Sequence, residues 1–402
     1  MRRLRLGEVL RLRKEVVHPH DKPRGRAVFV GLEHLESGSG LRTGALDVDL
    51  EHLTGRKPKF YKGDMVYGYL RPYLNKVWIA EFDGLCSVDQ YVYEVDGSLA
   101  DAEFVAWFIR SPHYLARAPV QTGPGQLPRI RLEEVAAIEV DLPDLDQQRL
   151  LVSAIRAQMA EVARARSAAE FQLDAVRALS SARSSEVFHT SEVTRWPRKR
   201  LGDLASNDDA FADGPFGSHL KTAHYSERGA RVIRLQNIGR GTFLGEDKVY
   251  IPIEHYWTLE RHSARQDDVV VAALGDGERP AGRACLVPPD LGPALVKADC
   301  FRIRLPGHVL APGYLAAYLN SPDSLGRMAG AMRGATRPRV TLSIIREVEI
   351  PLPPVVEQVH MTRKLNEELA EAGQLLQRLE QELVTIESLP EALLRRAFAG
   401  EL

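Results

Sequence analysis

The sequence repeats itself at a fixed distance, and this constrains the fold more than any single motif does. The stretch Leu142-Pro143-Asp144-Leu145-Asp146-Gln147-Gln148 opens a helix-like run that ends at Phe188. Leu352-Pro353-Pro354-Val355-Val356-Glu357-Gln358 opens a similar run that ends at Phe398. Leu142 and Leu352, Gln148 and Gln358, and Phe188 and Phe398 all lie 210 residues apart. A constant offset over so long a stretch marks an internal duplication. The chain is therefore read as two copies of one unit, each a variable globular part followed by a long helix. Upstream the offset changes. Arg5-Leu6-Gly7-Glu8-Val9 matches Arg200-Leu201-Gly202-Asp203-Leu204 at 195, Gly63-Asp64-Met65-Val66 matches Asp267-Asp268-Val269-Val270 at 204, and Ser111-Pro112 matches Ser321-Pro322 at 210. The second copy has gained its extra residues in the globular part alone, as expected where loops absorb insertions and packed helices do not.

Short β-rich runs separated by Gly, Pro and Asp turns predict mixed α/β globular parts. They fall at 65–69, 77–80 and 91–95 in the first copy, and at 232–235, 269–273, 284–287 and 301–305 in the second. A short helix precedes the closing strand in each, at 102–110 and 313–320, and Ser-Pro stops both. The closing strands, 138–142 and 348–352, lead into the Pro turn and the long helix. In the second helix Leu365, Leu369, Ala372, Leu376, Leu379, Leu383 and Ile386 recur at alternating spacings of four and three, an a/d seam that needs a partner along its length. The counterparts are Ile155, Met159, Val162, Arg166, Ala169, Leu173 and Val176, with Arg166 as the polar interruption. The other helix of the same chain is the partner nearest to hand. A helix over about 146–188 would be roughly 60 Å long. Pro390 is expected to end or kink the second helix near Leu389, where the first copy has Ser180. The division expected is globular 1–142, helical 143–190, globular 191–350 and helical 351–402, an α+β chain.

Composition, at 44% hydrophobic and 27% charged over 402 residues, is that of an ordinary globular chain with more than one core. A net charge of −1 neither favours nor excludes a nucleic-acid partner, so any such binding must come from local basic surface. Cys86, Cys285 and Cys300 form no CxxC pair and accompany no His cluster. They read as reduced thiols serving as small buried filler, without a disulfide framework or a metal site. No run of about 18 apolar residues predicts a membrane span, and basic Arg2, Arg3 and Arg5 precede no apolar signal core. A cytoplasmic location is expected.

Catalytic signatures are missing from the sequence. There is no GxxxxGK[ST] loop, and the Gly-rich stretch from Leu274 to Gly282 lacks that lysine and reads as a turn between strands. There is no Asn/Asp-Pro-Pro-aromatic tetrapeptide of amino-methyltransferases. Glu246-Asp247-Lys248 has no nearby upstream Pro-Asp of the nuclease type, and GxSxG and HExxH are absent. The chain is not expected to be an enzyme.

What remains is a set of basic and polar residues on turns. The first copy carries Arg71-Pro72-Tyr73-Leu74-Asn75-Lys76 and the 121–131 stretch with Gln126 and Arg129. The second carries 214–221 with Lys221, then Arg234-Leu235-Gln236-Asn237, Arg279, Arg283 and the 333–339 stretch with Arg337 and Arg339. Side chains of these types contact phosphates and read base edges. Singly each is more often solvated surface. Together they are more telling, because 123–131 and 333–341 hold the same place in both copies, each with Pro-Arg-x-x-Leu before the closing strand. The DNA-binding candidates are Arg71, Asn75, Lys76, Gln126 and Arg129, and then Lys221, Gln236, Asn237, Arg279, Arg337 and Arg339.

Gly-Asp-Met-Val-Tyr-Gly-Tyr-Leu-Arg-Pro-Tyr-Leu-Asn-Lys (63–76), Gly-Pro-Phe-Gly-Ser-His-Leu-Lys (214–221) and Arg-Val-Ile-Arg-Leu-Gln-Asn-Ile (231–238) follow one another in order. With the two Leu-Pro…Gln helix openings and the terminal Leu-Leu-Arg-Arg-Ala-Phe-Ala-Gly-Glu-Leu (393–402), the chain resembles the specificity subunit of type I restriction–modification systems over nearly its whole length. The resemblance implies two target-recognition domains joined by two helices paired as an antiparallel coiled coil, a pseudo-twofold internal repeat. It further implies that each domain reads one half of a bipartite double-stranded DNA target while the helices set the spacing and dock two methyltransferase subunits. S-adenosylmethionine would then be bound by those partners, with no cofactor on this chain, and restriction/translocase subunits would join in the full complex. Such a repeat suits two half-sites as dimer symmetry suits palindromes, and unlike loops imply unlike halves. Asp144 in place of Pro354, and Arg166 in the seam, put some asymmetry into the docking helices. Three other readings stay open at this stage: the specificity partner of a fused type II nuclease–methyltransferase, a coiled-coil scaffold that binds protein only, and an enzyme of unrecognised type.

Overall fold

A computed structural model describes residues 2–119, 127–190, 193–217, 219–276, 279–332 and 339–402, the side chain of Thr194 excepted. The chain forms two compact units, Met1–Phe171 with Glu380–Leu402, and Gln172–Leu379. These boundaries cut through both long helices, where the sequence suggested separate helical segments. The reason is packing: the ends of each helix are built into the globular cores that they flank.

In the first unit a four-stranded antiparallel sheet runs in the order Leu10–Leu12, Gln90–Val95, Met65–Gly68, Val77–Ile79. Its strands are short and apolar on both faces, and the period-two alternation sends the two faces into different cores. Met65, Tyr67, Val77 and Tyr93 join the core with helix Ala102–Arg110. Val66, Trp78 and Val92 join a second core with Val30, Phe60 and Cys86. Beyond that core lies a five-stranded sheet in which Arg26–Val30 runs parallel to Gly84–Cys86. Arg2–Arg5 pairs with Glu139–Leu142 in a separate two-stranded sheet.

The second unit repeats the plan. Phe211–Asp213, Cys300–Ile303, Val269–Ala272 and Ala284–Leu286 make the four-stranded sheet. Val269 and Val271 face the core with helix Pro312–Leu319. Val270 and Ala272 face the core that holds Cys285 and Cys300. Here Ala230–Ile233 runs parallel to Ala294–Val296, and Arg198–Arg200 pairs with Glu349–Pro351. All three cysteines are buried, with their thiols pushed up to about 12 by burial. The Ser-Pro stops act as read: Ser111 and Ser321 end one helix and cap the next through Tyr114 N and Ser324 N.

The long helices span Leu145–Glu186 and Val355–Ala399. The second does not end at Pro390 but runs through it. Proline's lost hydrogen bond is one local term, and the turns beyond it are held by burial of Leu394 and Ala397 in the first unit's core. In that unit Val152, Ile155 and Met159 from early in the first helix share this core with Leu394, Ala397 and Phe398 from late in the second. In the second unit the relation is reversed. Phe188, just past the first helix, lies in one core with Leu365 and Leu369, and Arg183 pairs with Glu368 at 3.4 Å. The helices are therefore antiparallel within each unit. Leu173, Leu379 and Ile386 are buried, and Val162, Val176, Leu376 and Leu383 half-buried. Arg166 stays exposed and turns its charge to Glu170 (3.0 Å) and Glu36 (3.4 Å). Among the described residues, no helix is long and apolar enough to cross a membrane.

Candidate nucleic-acid interface

In the first unit three polar segments meet beyond the end of strand Met65–Gly68. The 127–131 stem zips onto the following residues: Arg71 N donates to Pro128 O (2.6 Å), and Ile130 N donates to Tyr69 O (3.2 Å). Arg71 and Asn75 then take left-handed φ angles of 50° and 55° on either side of the Pro72–Leu74 turn. That conformation is uncommon for residues with a Cβ. Here it is held by Leu74 N to Arg71 O (2.8 Å), Asn75 N to Pro72 O (2.9 Å) and the Asn75 amide donating to Arg110 O. The third segment is the Leu32–His34 turn, closed by Gly31 N donating to His34 Nδ1 (2.9 Å). Lys76 Nζ donates to Leu32 O at 2.6 Å. A Cβ on Gly68 would collide with the Leu32 side chain, so the turn packs directly on the strand end.

The second unit assembles the same parts. Val340 N donates to Ala273 O (2.9 Å) and Ala273 N to Asp299 O (2.8 Å). Asp299, at φ 72°, takes the Arg339 guanidinium at 2.5 Å, and Arg339 also lies 5.7 Å from the centre of the Phe216 ring. The Leu235–Asn237 turn is closed by Arg234 N donating to Asn237 Oδ1 (3.0 Å). Arg283, only 1% exposed, reaches behind this turn. Its guanidinium donates to Ile238 O (2.7 Å), Leu235 O (3.0 Å), Leu274 O (2.8 Å) and Pro280 O (3.0 Å). Burial pulls its pKa down, and nearby Arg279 adds to this. Four carbonyl dipoles satisfy the buried cation and tie the 235–238 turn to Leu274 and Pro280.

The candidates read from the sequence separate into three groups. Arg71, Lys221 and Gln236 face solvent. Arg129, Arg279 and Arg339 are half-buried. Arg279 is paired with Asp276 at 3.0 Å, whereas the buried Arg129 Nε has no partner among the described residues. Arg129 and Arg56 lie near Tyr69, which stacks on Tyr91 at 4.5 Å. Burial pushes the Tyr69 hydroxyl up while the two arginines pull against it. Asn75, Asn237 and Lys76, expected on DNA, are instead turned into the protein in this structure. Asn75 is 7% exposed and Asn237 0%. The Asn237 amide is spent on Leu244 O (2.8 Å) and Asp247 O (2.9 Å), and the half-buried Lys76 ammonium gives one of its three donors to Leu32 O. Arg283 turns inward in the same way. Gln126 and Arg337 lie outside the described residues. No group of three or more metal-ligating side chains occurs among the described residues.

The sequence reading missed the Leu32–His34 turn. It corresponds to Leu235–Asn237, since each follows the strand that pairs in parallel and each is tied by a cation just before strand Val77–Ile79 or Ala284–Leu286. The turns lie 203 residues apart and share only the leucine, which left no repeat to notice.

Each unit is an α/β fold that gathers polar turns beside a sheet, and both long helices contribute to both units. The chain's likeness to known proteins is specific. No protein-family model matches the chain. Over 209 residues it is 26% identical to the type I restriction enzyme EcoDI specificity subunit of Escherichia coli, covering 52% of this chain and 46% of that one. Over 173 residues it is 25% identical to the StySPI specificity subunit of Salmonella potsdam, covering 42% and 36%. The chain thus spans less than half the length of these curated relatives. A chain solved in work on complex assembly and conformational transition of the type I R-M system matches with a TM-score of 0.80 at 21% identity, over 100% of this chain and 98% of that one. The HsdS subunit of Thermoanaerobacter tengcongensis matches with a TM-score of 0.62 at 20% identity, over 100% and 97%. The chain is thus similar in sequence to type I specificity subunits over part of its length, and similar in fold to chains of type I R-M systems over all of it.

Proposed function

We propose that this chain is the DNA-reading specificity subunit of a type I restriction–modification complex and catalyses no reaction itself. The observation that carries the reading is the convergence of the same three polar segments in each unit, on a chain whose fold follows specificity subunits from end to end. Each unit reads one half of a bipartite double-stranded DNA target, and the paired helices set the gap and dock two methyltransferase subunits. Those partners bind S-adenosylmethionine and carry out adenine methylation, and restriction/translocase subunits complete the assembly. Arg71, Arg129, Lys221, Arg279 and Arg339 supply cations for phosphates or guanine edges, and Gln236 an amide for a base edge. The test is binding of the full chain, assembled with its methyltransferase subunits, to duplex libraries over a salt series. Selective binding that weakens steeply with salt supports the reading; a stable complex without DNA affinity makes the chain a scaffold.

A further inference from the structure

The two clamped turns carry different side chains at their tips. Glu33 and Gln236 are the middle residues of Leu32–His34 and Leu235–Asn237. Each leucine carbonyl is held from behind by an inward cation, Lys76 or Arg283, and each third residue closes the turn with its own side chain. The middle side chain is left to solvent in both. That of Glu33 is 64% exposed, and Gln236 is exposed. His34 Nδ1, 3.9 Å from the Glu33 carboxylate, already accepts from Gly31 N, so it has no proton to offer Glu33. Gln236 makes no side-chain hydrogen bond among the described residues. A carefully fixed turn that presents one unspent polar group, beside the loop carrying Arg71 in one unit and Arg279 in the other, is built to read rather than to hold.

We infer that Glu33 and Gln236 are matched specificity-determining residues, each reading one base pair in its own half-site, with Lys76 and Arg283 as the residues that position them. This rests on the DNA-binding reading above. The chemistry assigns different bases. A carboxylate accepts from the cytosine N4 amino group and is repelled by phosphates, so Glu33 is directed to a base edge. A carboxamide both donates and accepts, matching adenine N6 and N7. The half-site read by the first unit should therefore demand cytosine where the half-site read by the second demands adenine.

The experiment is selection from a randomised duplex library by the full chain assembled with its methyltransferase subunits, comparing the unsubstituted chain with Glu33→Gln, Gln236→Glu, Lys76→Met and Arg283→Met. Glu33→Gln should change the preferred base at one position of one half only, and Gln236→Glu at one position of the other half. Each should lose about ten-fold or more in preference for the original base. Lys76→Met and Arg283→Met should blunt discrimination at those same positions without selecting a new base. A fold defect would instead lower binding to every sequence, and the exposed tip variants guard against that outcome. If the tip variants select the unsubstituted motif, the inference is overturned. If the unsubstituted chain selects no motif, the DNA-binding reading falls and takes the inference with it.

Discussion

Gln148 and Gln358, 210 residues apart, make the same three hydrogen bonds. Gln148 Oε1 accepts from Asp101 N (2.8 Å), and its Nε2 donates to Leu99 O (3.3 Å) and Pro143 O (2.9 Å). Gln358 Oε1 accepts from Ala311 N (2.7 Å), and its Nε2 donates to Val309 O (3.0 Å) and Pro353 O (2.8 Å). Both side chains sit on the first turn of a long helix with no exposed surface. Each ties that helix to the start of the short helix in its globular part, at the point where the globular part meets the long helix. The clearest repeat in the sequence is thus a joint.

Replacing either glutamine by alanine leaves one buried N–H and two carbonyls without partners. Gln148→Ala and Gln358→Ala should each lower stability by about 2–4 kcal/mol, measured by urea unfolding of the full chain. A change below about 0.5 kcal/mol would show that water replaces the side chain and that the joint is not structural.

The part of the structure legible in the sequence was the part governed by periodicity. The seam from Leu365 to Ile386 and the alternation of Met65–Gly68 or Val269–Ala272 each reflect burial that repeats along an element. Direction on a turn has no such signature. Asn75, Asn237 and Lys76 are of DNA-contacting type, yet each turns inward to donate to a carbonyl of its own unit. Glu33 carries no such signature either, since an acid does not suggest a polyanion ligand and its turn is out of register with the rest of the repeat. Pro390 misled for a related reason: local propensity says where a helix is weakened, not whether packing carries it onward.

Arg71 and Arg129 should behave differently on DNA. Arg71 is exposed on a left-handed turn, so Arg71→Ala should weaken binding evenly across sequences and reduce the salt slope by about 1. Arg129, half-buried beside the Tyr69 and Tyr91 stack, should on change to alanine cost about 1–3 kcal/mol of discrimination in one half-site only. Titrations of matched and mismatched duplexes over a salt series distinguish the two, and even weakening in the Arg129 variant would make it a phosphate contact.

Asp209 provides a pH test. Burial pushes its carboxyl up, but Arg302 (2.7 Å) and Arg304 (2.6 Å) outweigh this and hold its pKa below the ordinary carboxylate value. A depressed folded pKa contributes stability above the unfolded value of about 3.9, and that contribution is lost as pH falls through the folded value. The wild-type advantage over Asp209→Asn should be constant from neutral pH down to the ordinary carboxylate range and shrink below it. An advantage independent of pH would contradict the ion-pair account.

The thiols of Cys86, Cys285 and Cys300, pushed up to about 12 by burial, should resist a thiol-directed reagent at pH 8 in the folded chain. All three should react once urea unfolds it. Rapid labelling of any one in the native chain would contradict its burial in a closed sheet core.

The central claim is that two units read two halves of one DNA target at a spacing set by the helices. The most direct measurement is a genome-wide map of N6-methyladenine in cells expressing the chain with its methyltransferase subunit. The expected result is one bipartite motif with unlike halves and a fixed gap, and replacing residues 1–142 with the corresponding domain of another specificity subunit should alter one half alone. Methylation at a continuous motif, or at none despite a stable complex, would contradict it.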